Sequence, residues 1–288
     1  QLPHRMISKA GGVMAVAAVV AIGTGSYIFY NTNILNEYST RDDVEKLLAD
    51  LEKKYLKYET VKQPSLTDIK LTVNLYPNHK RMDASGSVEL INDTGAPVEQ
   101  LHIRIGDPRL NVEELNIAAS KLTLNDEELG YRIYQLNQAM QPGETRTVSF
   151  KTSREQKGFR ASGNDTRLVK NGTFLNNLEF MPTLGMSRTG LLSDRQTRRD
   201  HGLPSELRTA KLEDESARER NYGGNVDWVT TDITVSTVKG QTPIAPGKRV
   251  SDEVQGERRI ARFVADQPIL GFLSIQSADY AVKERTAN

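Results

Sequence analysis

The sequence predicts a mainly β protein: an antiparallel β-sandwich-like domain, preceded by a transmembrane helix and a short amphipathic linker helix. Three observations predict this fold. Residues 11–30 form an uncharged apolar block, and apolar residues recur at helical spacing over residues 41–58. After residue 65, short runs alternate apolar and polar residues and are separated by turn residues. Such runs are typical of antiparallel sandwiches.

The apolar block is long enough to span a membrane, because a helix rises about 1.5 Å per residue and a bilayer core is about 30 Å thick. Arg5 and Lys9 precede the block, and the first carboxylate after it is Glu37. This charge distribution predicts that residues 1–30 are a cytoplasmic flank and a single span of the cell membrane, with the bulk of the chain extracytoplasmic. The lipid bilayer is therefore an expected partner.

Two alternatives for the apolar block are a cleaved signal peptide and a buried core helix. The block is longer than the usual apolar region of a signal peptide, and no clean Ala-x-Ala cleavage site precedes its aromatic end. Because the sequence begins with Gln1 rather than Met, we expect it to be a segment of a longer polypeptide.

Residues 31–64 are predicted to link the membrane to the β domain. Thr40 and Asp43 have the spacing of a capping box, which predicts a helix over residues 41–58. The charged face of this helix, which includes Glu52, is predicted to face solvent.

Residues 65–288 are predicted to form the extracytoplasmic β domain. Between residues 153 and 224 the alternation fails and glycines and charges are frequent, which predicts long loops around one short element near residues 173–180. Loops of this length in a compact domain are usually functional or partly disordered. Strands are predicted around residues 69–75, 88–90, 101–105, 115–117, 122–124, 131–136, 147–150, 226–237, 259–264 and 269–277.

The composition excludes several kinds of site. The chain has no cysteine, which excludes thiolate zinc sites, iron–sulfur clusters and cysteine nucleophiles. Lys plus Arg is 38 and Asp plus Glu is 37, so the net charge of +1 gives no field for nucleic acid, and no nucleic-acid partner is expected. No H-E-x-x-H, nucleophile-elbow or phosphate-loop motif occurs. We therefore predict no catalytic residue, metal ligand or cofactor within this chain.

Two histidines need individual interpretation. His102 alternates with Leu101 and Ile103, which predicts that its side chain lies on the polar face of its strand. His201 follows two arginines and an aspartate, and we interpret it as a salt-bridged loop residue rather than a metal ligand.

Several short motifs carry a family resemblance. They are Tyr30-Asn31-Thr32-Asn33, Leu35-Asn36-Glu37-Tyr38, residues 69–77, Phe180-Met181-Pro182-Thr183-Leu184-Gly185, Leu192-Ser193-Asp194, Gly202-Leu203-Pro204, residues 228–237, Ala245-Pro246-Gly247 and residues 268–274. Together they resemble the N-terminal β domain of the aminopeptidase N-like zinc metallopeptidases. More narrowly, the sequence is similar to the bacterial type in which the peptidase follows an ABC transporter permease in one polypeptide.

The resemblance implies that a thermolysin-like domain follows, in which two His and a Glu bind zinc and a further Glu is the general base. Zinc is therefore expected only in that following domain. The resemblance also implies that a motif before a proline contacts the amino end of a peptide substrate, and its closest match is Glu179-Phe180-Met181-Pro182. Met181 and Met186 stand where the family has a carboxylate and an Arg, so only Glu179 is carried over as a substrate-binding residue. A purely structural role for Glu179 stays open.

Two functional hypotheses result. In the first, the chain is the non-catalytic, membrane-anchored β domain of an aminopeptidase-like zinc metallopeptidase fused to a transporter permease, and it shapes the substrate cleft. Its partners would be the following peptidase domain and transporter subunits. In the second, the chain is a non-enzymatic, membrane-tethered β-sandwich binding module of a transporter complex. The sequence leaves open whether the parent protein is an active zinc aminopeptidase.

Overall fold

The structure is a computed structural model that describes residues 9–161, 163, 165–207, 211, 213–215 and 227–283. By its contacts the chain divides into two units, which are treated separately below. Unit 1 comprises residues 1–43 and 156–165, and unit 2 comprises residues 44–155 and 166–288.

Unit 1 is built around helix α1 (Lys9–Phe29), which continues into a π-helical turn at Tyr30–Ile34. By length and composition this is a candidate membrane-spanning helix near the N-terminus. All residues of α1 are described and none of them is buried, so α1 is not a core helix of the described part of the chain.

Helix α2 (Arg41–Tyr55) begins with the predicted capping box. The Thr40 amide donates to Asp43 Oδ2 at 2.8 Å, and the Asp43 amide donates to Thr40 Oγ1 at 3.2 Å. These two bonds satisfy backbone donors that the first helical turn leaves unpaired. The last turn of α2 tightens into a 3₁₀ turn at Leu56–Tyr58.

The strands of unit 2 confirm the predicted mainly β class, with a long apolar helix and a second short helix before them. They are β1 (Ser65–Tyr76), β2 (Arg81–Ile91), β3 (Val98–Arg104), β4 (Asn111–Ile117), β5 (Ser120–Asp126), β6 (Tyr131–Met140), β7 (Thr145–Glu155), β8 (Leu168–Val169), β9 (Gly172–Asn176), β10 (Thr183–Leu184), β11 (Trp228–Val238), β12 (Thr242–Ile244), β13 (Lys248–Gln255), β14 (Arg258–Leu270) and β15 (Ser274–Ala278). Short 3₁₀ turns lie at Pro77–His79 and Asn177–Glu179, and helix α3 spans Arg195–Asp200.

The strands form three sheets. One has seven strands in the order β13-β14-β11-β1-β2-β7-β4, and the other two have four strands each, in the orders β10-β3-β6-β5 and β12-β15-β9-β8. Most neighbouring strands pair in antiparallel fashion, as the fold class predicts, but β1 and β11 pair in parallel, with Ile69 opposite Thr231. Parallel neighbours need a long crossover, and the chain between these two strands supplies one.

One hydrophobic core is shared by the three sheets of unit 2. The alternation in β1 buries Ile69, Leu71, Val73 and Leu75, none of which is more than 3% exposed. Burying each such side chain is worth about 1.5–3 kcal/mol. The same core includes Leu101 of β3 and Leu175 of β9, so side chains from all three sheets pack together.

Some element boundaries differ from the sequence expectation. β7 continues to Glu155, inside the predicted loop segment, and β13 was not predicted. β13 is an edge strand in which seven of eight residues are exposed, so it has no buried face to impose an alternating pattern. Val226, the predicted start of a strand, and part of the predicted loop segment up to residue 224 lie outside the described residues.

Candidate functional site

Glu179, the predicted substrate-binding residue, ends the 3₁₀ turn Asn177–Glu179 between β9 and β10. Its Oε2 accepts a hydrogen bond from the Asn176 amide at 2.8 Å, while Asn176 Oδ1 accepts from the Leu178 amide at 3.0 Å. This reciprocal capping box fixes the carboxylate against its own backbone turn. Glu179 is 2% exposed, so it lies inside unit 2.

Glu179 belongs to a group of charges that we call the ionic cluster: Asp107, Arg154 and Glu179, which are buried, and Arg109 and Arg167, which are half-buried. Glu179 Oε1 forms an ion pair with the Arg167 guanidinium. Arg154 Nη1 donates to Asp107 Oδ2 at 2.6 Å, and Arg109 donates to both Asp107 oxygens at 2.9 Å. Arg167 Nη2 lies 3.8 Å from the same Asp107 oxygen, so Arg167 connects the two carboxylates.

The electrostatics of the ionic cluster keep Asp107 charged. Burial by itself would raise the pKa of Asp107, but hydrogen bonds from Arg109 and the charge of Arg154 outweigh it and lower that pKa to about 2. Arg109 and Arg154 pair with Asp107, and Arg167 pairs with Glu179. Charges that pair with one another in this way have a structural role. Both Glu179 oxygens already interact within the protein, one with the Asn176 amide and the other with Arg167.

The residues that follow Glu179 fill hydrophobic space. Phe180 and Met181 are at most 1% exposed and lie in the shared core, and the Phe180 carbonyl accepts a hydrogen bond from Thr152 Oγ1 at 2.6 Å. Met186, which stands where the family resemblance has an Arg, is 3% exposed and packs with Tyr131 in a second cluster. The two methionines at the departures from the family pattern are therefore buried packing residues.

Among known proteins, matches to this chain come from solved structures. No family model matches the chain, and no curated protein matches it. Solved structures to which the chain is similar include M1 zinc metallopeptidases.

One is the M1 zinc metallopeptidase from Deinococcus radiodurans, with a TM-score of 0.47 and 9% identity, covering 78% of this chain and 45% of that chain. Another is a two-domain M1 zinc metallopeptidase mutant bound to L-tryptophan, with a TM-score of 0.46 and 9% identity, covering 78% and 46%. A third is a mutant from Deinococcus radiodurans bound to a Tyr-Ser-Ala substrate, with a TM-score of 0.46 and 8% identity, covering 78% and 46%. The chain thus spans less than half the length of these structures.

The structure corrects the prediction for His102, which is 1% exposed rather than on a polar surface. Both faces of β3 are covered here: Leu101 and Ile103 lie in the shared core, while the His102 ring lies 4.9 Å from Tyr58 and 5.9 Å from Tyr131. When both faces of a strand are buried, alternation in the sequence does not show which side chains are exposed, and the prediction that His102 is exposed was therefore wrong.

The hydrogen bonding of His102 is incomplete within the described residues. Nδ1 lies 2.9 Å from the Tyr131 hydroxyl, whereas Nε2 is buried and has no hydrogen-bond partner in the part of the chain that is described. Burial lowers the pKa of His102 to about 4 and raises the pKa of Tyr131. His102 is therefore neutral at physiological pH, and charging it inside unit 2 is costly.

His201 lies beside a carboxylate, as the sequence interpretation expected: its Nε2 is 3.5 Å from Glu45 Oε2. It follows α3 directly, and its backbone amide donates to the Thr197 carbonyl.

A fully buried ion pair in unit 2 was missed by sequence reasoning. Arg198 of α3 is 0% exposed and donates to both Glu52 oxygens, at 2.8 and 2.7 Å. It also donates to the carbonyls of Pro204 and Leu192, each at 2.7 Å. The prediction that Glu52 faces solvent is wrong, because the polar segment that contains α3 covers that side of α2. Nothing in the run Arg198-Arg199-Asp200 distinguishes its buried arginine from its exposed one.

Proposed function

We propose that this chain is the membrane-anchored, non-catalytic β domain of an aminopeptidase-like zinc metallopeptidase. The bulk of the chain would be extracytoplasmic, and the parent polypeptide would place the domain behind an ABC transporter permease. Metal-assisted hydrolysis at the free N-terminus of a peptide would be performed by a following domain that holds the zinc. The role of this chain would be to shape and limit access to the cleft.

The observation that carries the anchor is α1, an apolar helix whose single charged residue, Lys9, stands at its start. None of its residues is buried, and it precedes a β domain with its own core. A soluble protein rarely leaves so large an apolar surface in water, whereas a bilayer would cover it. The peptidase part of the proposal is supported by the family motifs, among them Glu179-Phe180-Met181-Pro182, which forms a defined buried turn.

One observation favours the second candidate, a non-enzymatic, membrane-tethered binding module. Both oxygens of Glu179 are engaged by Asn176 and Arg167, and the carboxylate is 2% exposed. To reach a substrate amine, Glu179 would have to give up its ion pair with Arg167, which is unfavourable because the Glu179 carboxylate is buried.

The decisive experiment is to sequence the reading frame upstream of Gln1 and downstream of Asn288. The metallopeptidase proposal expects H-E-x-x-H and a later helical Glu downstream, and membrane spans of a permease upstream. A stop codon directly after Asn288 would reject the peptidase proposal and leave the binding module.

An activity assay tests the non-catalytic assignment. Residues 1–288, purified in detergent and supplied with zinc, are expected to hydrolyse no aminoacyl substrate. Chelator-sensitive turnover by this chain would contradict the assignment. In the complete polypeptide, Glu179→Gln is expected to raise KM with little change in kcat if Glu179 contacts substrate, and Glu128→Gln, a change in a polar turn, is the matched control.

The anchor has its own test. Val19→Arg places a charge near the middle of the apolar block and is expected to disfavour insertion by about 2.5–3.5 kcal/mol. The measurement is the membrane-integrated fraction after translation with microsomes or inverted vesicles, with Val19→Leu as the control. An unchanged fraction for Val19→Arg would count against a spanning helix.

A further inference from the structure

A segment distant in sequence from α1 belongs to the same unit and packs against its end. Residues 156–165 follow β7 in the chain, yet they cluster with residues 1–43. Asn36 holds the two parts together. Its Nδ2 donates to the carbonyls of Lys157 at 2.9 Å and Phe159 at 3.2 Å, and its Oδ1 accepts from Arg160 Nε at 3.0 Å. Asn36 is 7% exposed, so these bonds are shielded from water.

The close approach of this segment depends on a glycine. Gly158 has φ of +53°, and a Cβ at this position would overlap the side-chain oxygen of Asn31 in the π-helical turn. Any other residue would be strained and would push the segment away from the helix end. The backbone of residues 157–160 therefore passes directly over the helical end of the proposed span.

The contact reaches the apolar block itself. The rings of Phe159 and Tyr27 are 5.8 Å apart between centroids, at an interplanar angle of 56°. Tyr27 lies in the last turns of α1 and is 63% exposed, and the residues that follow it, Ile28, Phe29 and Tyr30, are 47–58% exposed. Aromatic side chains at the end of a membrane span lie at the level of the lipid head groups. Phe159 must then lie at nearly the same depth as Tyr27.

The residues on either side of Phe159 carry the charge that such a depth favours. Lys157 is exposed and Arg160 is half-buried, and the sequence 156–161 has no acidic residue. Long basic side chains near an aromatic contact are the usual composition of interfacial membrane contacts, because the cations meet phosphate while the ring enters the apolar boundary.

We propose that residues 157–160 form a second membrane contact in the head-group region beside the end of α1, with Phe159 at the depth of Tyr27 and the cations of Lys157 and Arg160 bound to phospholipid phosphates. The inference rests on the proposed anchor, since it needs α1 to span the bilayer. Its consequence is that the chain meets the membrane surface at two places far apart in sequence.

The absence of cysteine from the sequence makes spin labelling direct, because no background residue has to be removed. Residues 1–288 are reconstituted in vesicles of mixed phosphatidylcholine and phosphatidylglycerol with one label each at Ile28→Cys, Phe159→Cys or Val254→Cys. Power saturation with oxygen and with a water-soluble nickel chelate measures depth. The label at position 28 tests the anchor, and the label at 159 tests the second contact. Position 254, in exposed strand β13, is a comparison site.

The expected result is that the label at 159 has the high oxygen and low nickel accessibility of the label at 28. A lipid-exposed label at 28 with a label at 159 as accessible to nickel as a free nitroxide in buffer overturns this inference alone. Aqueous values at both positions overturn the anchor proposal. If the Phe159→Cys protein does not fold, Ala161→Cys leaves the Phe159 ring in place and is judged by the same criterion.

A variant of Asn36 tests whether the bonds from this side chain hold residues 157–160 at the membrane. Asn36→Ala removes the bonds to residues 157–160 and is expected to shift the label at 159 to aqueous values while the label at 28 is unchanged. Asn33→Ala is the matched control, because Asn33 is exposed and its side-chain oxygen accepts a hydrogen bond from Thr32 Oγ1 within the same turn. An Asn36→Ala protein in which the label at 159 keeps its lipid-like values would contradict the holding role of Asn36.

Discussion

The seven-stranded sheet and the irregular segment of residues 166–207 both bury apolar side chains, but the irregular segment also contains the fully buried ion pair of Arg198 with Glu52. In the sheet, β1 and β11 bury apolar side chains at every second position, with Ile69 and Ile233 fully enclosed. In the irregular segment, ion pairs add to the apolar contacts: Arg198 binds Glu52, and Glu179 binds Arg167. Apolar burial is non-directional and tolerates small changes, whereas a buried charge depends on one partner. The two regions should therefore respond differently to substitution.

The largest effect is expected at the buried ion pair of the irregular segment. Arg198→Leu leaves Glu52 buried without its cation and should lower the free energy of unfolding by about 3–5 kcal/mol. Chemical denaturation measures this change. Arg199→Leu is the matched control, since Arg199 is the exposed neighbour, and it should change stability by less than about 0.5 kcal/mol. Equal effects of the two variants would remove the contrast between the regions.

A core truncation tests the sheet. Leu75 is 0% exposed in β1, so Leu75→Ala should cost about 2–5 kcal/mol through lost burial and the cavity that remains. The conservative Leu75→Met should cost less than about 1.5 kcal/mol, because the sheet needs volume rather than a particular partner. Val254→Ala on the exposed edge strand is the control. A large loss from Leu75→Met would mean that the sheet is as specific as the ion pair.

The pH dependence of stability tests whether His102 of β3 is buried beneath Tyr58 and Tyr131. Burial lowers the pKa of His102 to about 4 in the folded state, below the ordinary histidine value of 6.5, so the unfolded state binds the proton more readily. The contribution of neutral His102 to the free energy of unfolding is therefore present above pH 6.5 and is lost as the pH falls toward 4. The loss is about 2 kcal/mol at pH 5. Denaturation midpoints between pH 7.5 and 4.5 measure the loss.

His102→Gln should remove this pH dependence, whatever its effect on stability at pH 7.5. Asp107 titrates in a separate window, because its lowered pKa of about 2 places its contribution below pH 3.8. An unchanged slope between pH 6.5 and 4.5 in the His102→Gln protein would show that another group causes it.

The smallest effect is expected at a helix cap in the irregular segment. The Asp194 side chain accepts from the Thr197 amide at 2.8 Å at the start of α3. Asp194→Ala should cost about 1 kcal/mol, and Asp194→Asn, which keeps an acceptor, should cost less. Gln196→Ala is the exposed control. If Asp194→Asn and Asp194→Ala cost the same, the cap bond is not what positions α3.

The sequence predicted the elements that are marked by an apolar composition, by the spacing of a helix cap or by a regular alternation of apolar and polar residues. The apolar block predicted α1, the Thr40 and Asp43 spacing predicted the start of α2, and the alternation predicted β1. The exposed strand β13 could not be predicted in this way, because neither of its faces imposes a pattern. Of the candidate site, Glu179 was identified only by resemblance, and its role in substrate binding stays a prediction.

By itself, the sequence determined the mainly β class, the apolar helix and the exclusion of cysteine chemistry, since these follow from composition and local periodicity. Only the tertiary structure decided which charges are buried and what they bind. Arg198 and Arg199 are identical residues in one short helix, yet one is enclosed against Glu52 and the other is exposed. His102 is buried because Tyr58 and Tyr131 cover the second face of its strand. The partner of a buried polar group comes from a distant part of the chain, and no local pattern encodes that partner.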